Sequence, residues 1–219
     1  MCETTLDSAP ALRPAIAKKH EAKRRAILDV AGRLFVERGY PATTMDELCR
    51  ELGVTKPSVY HYFPDKYSIL AALCMDSATQ TQRVFREPSE PGLSPAARLE
   101  AGLRKLARRT LENLPAATLT YRDSQYLRPE TAAEMRRIAD EYYDDLYALL
   151  EEGRRAGELE FADVKVTAHA ISGVVGFTYT WYRSSGPLDV ETLAGQLTEL
   201  MMRMVRPASP RRPRSRKGG

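Results

Sequence analysis

Apolar residues recur along this chain at helical spacing almost from end to end, and no run alternates with the period of two that a half-buried strand requires. Ile27, Val30, Ala31, Leu34 and Phe35 line one face of a helix predicted over residues 20–38, and Gly39 stands where a left-handed C-terminal cap belongs. Thr44-Met45-Asp46-Glu47 has capping-box spacing, in which Thr44 and Glu47 satisfy each other's orphan amides. The helix it opens is short: Met45, Leu48 and Leu52 form its apolar face and Gly53 stops it. After Val54 a third short helix starts at Thr55 or Lys56, with Pro57 tolerated in its first turn. Pro64-Asp65 ends that segment, and a long fourth helix begins near Lys66. Past a Pro- and Gly-rich break over residues 88–95, the pattern predicts helices over 96–113, 117–127, 130–156, 164–183 and 190–205. Pro115, Pro129, Gly157 and Gly186-Pro187 punctuate them.

The expected fold is therefore all-α: an N-terminal three-helix domain over 20–66, and a larger C-terminal helical domain over 67–206. Residues 1–19, with Pro10 and Pro14, read as a disordered arm, and 207–219, with no apolar side chain to bury, as a solvated basic tail. Arg211, Arg212, Arg214, Arg216 and Lys217 in that tail are a secondary candidate for phosphate contacts.

Composition narrows the function. The 219 residues are 43% hydrophobic and 28% charged, as in a globular protein, and the net charge of +4 permits a polyanionic partner. No run reaches the roughly 18–20 apolar residues of a membrane span, and the N-terminus lacks a signal-peptide pattern. A cytoplasmic location with no membrane partner is expected. Cys2, Cys49 and Cys74 have no metal-ligand spacing, and Cys49 and Cys74 read as small apolar core residues. His20, His61 and His169 are scattered, and neither a nucleophile elbow nor a Gly-rich phosphate loop is present. No catalysis, cofactor or metal is expected.

Two short helices joined by the tight Gly53-Val54 turn match a helix-turn-helix unit. The third helix needs a narrow N-terminal end that offers donors to base edges, with flanking groups on phosphates to fix register. Thr55, Lys56 and Ser58 supply the first; Tyr60, His61, Thr44 and Lys66, with the amides opening the fourth helix, supply the second. The corner of an ordinary helical bundle would share these helix lengths. The coincidence of turn glycine, capping box and polar cluster favours double-stranded DNA.

The stretch Thr43-Thr44-Met45-Asp46-Glu47-Leu48 through Gly53-Val54-Thr55-Lys56-Pro57-Ser58-Val59-Tyr60-His61-Tyr62-Phe63-Pro64-Asp65-Lys66 resembles the DNA-binding signature of the TetR (tetracycline repressor) family. Ala31, Leu34, Phe35, Gly39 and Tyr40 resemble that family's first helix, and Tyr67 departs from it where an acidic residue often follows the lysine. The resemblance implies an all-α homodimer reading a near-palindromic operator, with base-reading residues on Thr55 to Phe63 and phosphate contacts on Thr44, Tyr60, His61 and Lys66. Tyr121-Arg122-Asp123, the Glu151–Leu159 turn and Trp181-Tyr182-Arg183 with Gly186-Pro187-Leu188 resemble a subgroup that regulates fatty-acid and steroid degradation in response to acyl-CoA thioesters. Ser184 replaces that subgroup's usual proline.

In the C-terminal half the helix over 164–183 is apolar on most sides, and Gly173 and Gly176 let another helix approach. With Val190, Leu193, Leu197, Leu200 and Met204 of the last helix, these glycines are candidates for a four-helix homodimer interface; a monomer core is the other reading. Tyr121, Tyr126, Tyr142, Tyr143, Tyr147, Phe177 and Trp181 are candidate lining of a small-molecule pocket, with Arg122 as the anion anchor or, equally, a structural partner of Asp123. The expected function is a ligand-responsive regulator, a repressor by analogy, whose effector is an acyl-CoA or another hydrophobic molecule such as an aromatic or drug-like compound. The rival reading is a helical protein-binding or membrane-surface module without sequence-specific DNA binding.

Overall fold

Residues 12–26 are rich in Ala, Lys and Arg, all strong helix formers, and Pro14 falls in a first turn where its missing N–H breaks no bond. In a computed structural model of the chain, which describes residues 12–87 and 91–207, they open one continuous helix, α1 (Leu12–Arg38). The expected arm therefore gives way to helix from residue 12, earlier than the predicted start at His20. Residues 1–11 of that arm, and the basic tail from 208, lie outside the described residues.

α1 ends at Gly39, whose φ of 88° is the left-handed cap that the sequence predicts. Thr44 caps α2 (Met45–Leu52), and Gly53 at φ 64° turns the chain into α3 (Lys56–Tyr60), followed by α4 (Lys66–Gln82). The second half holds α5 (Pro95–Glu112), α6 (Leu114–Arg122), α7 (Pro129–Arg155), α8 (Val164–Gly176) and α9 (Val190–Arg203). Among the described residues all regular structure is helical. None of these helices is long and apolar enough to cross a membrane.

Two predicted helices end early for local reasons. The segment over 117–127 begins at Leu114, with Pro115 inside the first turn, and stops at Arg122 before a single 3-10 turn at Ser124–Tyr126. The segment over 164–183 stops at Gly176: the Thr178 hydroxyl donates to the Val175 carbonyl at 2.7 Å, and Phe177–Thr180 tighten into a 3-10 turn.

The chain divides into two compact units. The first runs to Asp76 and includes residues 118–132, so it extends past the predicted boundary at Lys66. Its core is built from Ala31, Leu34 and Phe35 of α1, Leu48 of α2, Val59 of α3 and Ile69, Leu70 and Cys74 of α4. Cys49 and Cys74 are buried, as expected, and burial pushes the Cys74 thiol up to about 11, which keeps it protonated and unreactive. The second unit packs α5 against α9, with α7 and α8 completing a core that includes Leu103, Leu146, Ile171, Leu197 and Met201.

Candidate nucleic-acid interface

The helix-turn-helix is held to α1 by burial and by ions. Leu48 and Cys49 bury one side of α2, while Arg33 reaches Glu51 at 2.7 Å and Arg38 reaches Glu47 at 3.4 Å. The capping box forms in full: the Thr44 amide donates to the Glu47 carboxylate at 2.9 Å, and the Glu47 amide donates to the Thr44 hydroxyl at 3.2 Å. The Thr44 amide, followed by its hydroxyl, holds the Glu47 carboxyl below its ordinary pKa. Thr44 is exposed, but its hydroxyl also bonds Glu47 at 3.1 Å and would have to leave it to meet a phosphate.

α3 is anchored by Val59, which is fully buried, and by Phe63 just beyond it. That anchoring turns the other side of the helix outward. Thr55, Lys56, Tyr60 and His61 are exposed and Ser58 is half-buried, so five of the predicted DNA-contacting residues share one short segment. Thr55 is the N-cap residue but makes no side-chain cap bond, so capping does not occupy its hydroxyl. Lys56 meets Asp46 of α2 at 2.7 Å, and that hydrogen bond raises the lysine's pKa. Asp46 thus holds the exposed Lys56 ammonium in place, a partnership that the sequence reading missed because capping already explains an acid in the first turn.

Lys66 is a correction. Its ammonium donates to the carbonyls of Tyr40, Pro41 and Thr43 at 2.8, 3.1 and 2.7 Å, which uses all its protons, and it lies 4.6 Å from the centre of the Tyr40 ring. Burial lowers its pKa, with Glu47 opposing. At the start of α4 the Asp65 carboxylate accepts the Ser68 amide at 2.7 Å and lies 3.7 Å from Arg128, so one of the amides expected to meet a phosphate is taken within the fold. Lys66 is therefore a clamp on the α1–α2 loop. Tyr67 is likewise structural, its hydroxyl bonding Thr131 at 2.7 Å and accepting the Arg128 amide at 3.1 Å.

The ligand candidates do not form one group. Arg122 donates to the carbonyls of Phe35 and Val36 at 2.7 and 3.1 Å and to the buried Asp123 carboxylate at 2.8 Å. Its guanidinium closes the end of α1, which fits the structural reading rather than an anion anchor. Tyr121 is exposed, and Tyr126 packs on Tyr40 at 5.3 Å between ring centres. In the second unit Tyr143 and Tyr147 come together with His169, whose ring lies 4.3 Å from that of Tyr143. Tyr142 is buried and bonds Ser172 at 3.0 Å, while Phe177 and Trp181 are 65% and 50% exposed.

The dimer candidates split as well. Leu193 and Leu197 belong to the core of their own unit, Val190 packs against that core, and Gly176 is buried. Leu200, Met204 and Gly173 face outward, and a side chain added at Gly173 would meet only open space. Val166, Ala170, Gly173 and Phe177 fall at i, i+4, i+7 and i+11, so one exposed apolar stripe runs along α8.

The model of the TetR family of bacterial regulatory proteins matches residues 27–73, and that of the tetracyclin repressor-like C-terminal domain matches residues 92–205. The transcriptional repressor KstR2 of Rhodococcus jostii is 26% identical over 183 residues, covering 82% of this chain and 89% of its own. The crystal structure of the TetR-family regulator PfmR from Thermus thermophilus superposes with a TM-score of 0.73 at 27% identity, covering 81% of this chain and 97% of PfmR. That of AibR, in complex with isovaleryl coenzyme A and operator DNA, gives a TM-score of 0.67 at 26% identity, covering 85% of this chain and 99% of AibR.

Proposed function

The chain belongs to the TetR family of transcriptional regulators, and from that premise we propose that it is a homodimeric repressor that reads a near-palindromic operator and is released by an acyl-CoA thioester. The observation that carries the DNA-binding part is the α3 segment: a helix anchored by Val59 that presents Thr55, Lys56, Ser58, Tyr60 and His61 on its outward side. Thr55, Lys56 and Ser58 read base edges, and Tyr60 and His61 hold the backbone on either side. The effector class rests on AibR, crystallised with isovaleryl coenzyme A.

Dimerisation uses the exposed apolar stripe of α8 with Leu200 of α9 and Met204 at its C-terminal cap, while Leu193 and Leu197 stay in the core of each protomer. In the DNA-bound form the two α3 segments sit about 34–36 Å apart, one helical turn, and enter successive major grooves. An effector that favours another spacing weakens DNA binding, and by linkage DNA weakens the effector by the same factor.

The test has two stages. Duplexes of about 30 base pairs, room for two half-sites, are selected from a random library, and fluorescence anisotropy then follows release by a panel of acyl-CoA thioesters. Binding that discriminates selected from scrambled duplex, and that one thioester abolishes, supports the whole reading. Discrimination unaffected by every thioester removes the effector assignment alone. No discrimination removes the regulator reading and favours a protein-binding or membrane-surface module.

A further inference from the structure

α1 begins well before the segment that matches the family model, which starts at residue 27. Between residues 17 and 26 it carries five basic side chains, Lys18, Lys19, Lys23, Arg24 and Arg25, against one acid, Glu21. One turn of this extension is fixed to the end of α3. The His20 ring lies 4.5 Å from Tyr62 and 5.9 Å from His61, and His61 and Tyr62 meet edge-on at 5.1 Å.

Helical register orients the neighbouring charges. Lys19, Lys23, Ala26, Val30 and Arg33 repeat at alternating steps of four and three, so they share one side of α1. It is the side on which Arg33 bonds Glu51 of α2. Lys18 falls on a different side, in a shallow groove lined also by Glu21, Ala22, Arg25, Asp29 and, at its edge, Ala26, where two acids stand against two cations. Arg24 is occupied by Glu21 and Asp76. Lys19, His20 and Lys23 are exposed, and among the described residues none of them makes an ion pair.

We propose that Lys19, His20 and Lys23 form a second phosphate-contacting surface, continuous with His61 at the C-terminal cap of α3, that grips the DNA backbone beside the half-site. The proposal rests on the DNA-binding reading above and extends the interface to a part of α1 outside the family match. The contact is sequence-independent, because lysines on phosphates position a protein without reading bases. Its partner is the duplex backbone, reached because the ring cluster fixes the flank of α1 next to the end of α3.

The experiment measures binding of the full-length protein to a selected duplex and to its scrambled counterpart from about 50 to 200 mM salt. The slope of log K against log salt falls by roughly 0.9 for each phosphate that the protein ceases to neutralise. Lys19→Gln/Lys23→Gln should therefore reduce it by about 1.8 and weaken binding roughly ten- to hundred-fold near 0.1 M salt, equally on both duplexes. His20→Ala should weaken binding without moving base preference, and Lys18→Gln should leave the slope in place. Circular dichroism checks that each variant keeps its helix. An unchanged slope in the double variant overturns the proposal while leaving the operator reading intact, and so does an equal drop from Lys18→Gln, which would mean diffuse charge. If wild type does not distinguish the two duplexes, the operator reading fails, and the slope on the scrambled duplex still decides whether α1 touches phosphate.

Discussion

Replacing Lys66 by Met keeps the aliphatic stem and removes the ammonium, which separates a loop clamp from a phosphate contact. Three carbonyls lose a charged donor at 2.8, 3.1 and 2.7 Å, and the Tyr40 ring loses the cation 4.6 Å above it. Hydrogen bonds from a charged donor contribute about 1.5–3 kcal/mol each, and the half-exposed setting places these at the low end. Water reaches part of the loop and can satisfy some of the stranded carbonyls, and the methionine no longer bears the cost of desolvating an ammonium. The net loss is then about 2–3 kcal/mol. For a chain of this length, at about 2–4 °C per kcal/mol, the melting temperature should drop by roughly 5–10 °C. Thermal unfolding followed by far-UV circular dichroism reads it, with anisotropy on DNA as the second readout. At temperatures where the variant is folded, its salt slope should equal that of wild type. A melting temperature within about 1 °C of wild type, with a slope reduced by about 0.9, would refute the clamp and restore the phosphate contact.

Arg122→Ala strands the buried Asp123 carboxylate and frees the Phe35 and Val36 carbonyls, so it should cost about 2–4 kcal/mol in chemical denaturation, with Arg122→Ala/Asp123→Asn recovering part of the loss. Effector affinity measured below the melting transition should be unchanged; a selective loss of thioester binding at full stability would return Arg122 to the ligand. Leu200→Glu places a charge on an exposed apolar position of α9, and light scattering should move from near twice 24.6 kDa to near 24.6 kDa, whereas a wild type already at the lower mass sinks the dimer. The carboxyls of Glu47, Glu51 and Glu87 are held below their ordinary pKa by the Thr44 amide, Arg33 and Arg109 respectively. Their folded-state values are depressed, so the stability they contribute is complete above the unfolded carboxylate value, about 4.3, and is lost as pH falls through the folded values. Melting temperature should be flat from neutral pH to about 5 and fall below it; a decline that begins near pH 6 would contradict this.

What the sequence made legible follows the range of the interaction concerned. Gly39, Gly53, Thr44 and Glu47 announce the caps and the turn because the bonds they make close within four residues, and the structure places each as predicted. The polar residues of the third helix are readable for a similar reason, since they cluster within a few positions of the turn, but the burial of Val59 that turns them outward was not. What stays hidden is the partner that a side chain finds far along the chain. Lys66 sits 23 to 26 positions from the carbonyls that it holds, and Arg122 bonds the end of α1 from 86 and 87 positions away. A cation near a DNA-binding helix reads as a phosphate contact unless the carbonyls that claim it are known. α9 misled for a different reason: Leu193, Leu197, Leu200 and Met204 recur at steps of four and three along one side, yet Leu193 and Leu197 are buried while Leu200 and Met204 are exposed. A pattern of period 3.6 identifies the helix but does not divide its apolar residues between its own core and a second chain. The same reasoning brings His20 into view. Its neighbours in sequence are lysines and a glutamate, which read as a solvated helix, and only the fold brings its ring against His61 and Tyr62. The outward side of α3 is thus written locally in the chain, whereas the groups that steady that side, Lys66, Asp46 and the start of α1, are set by the fold.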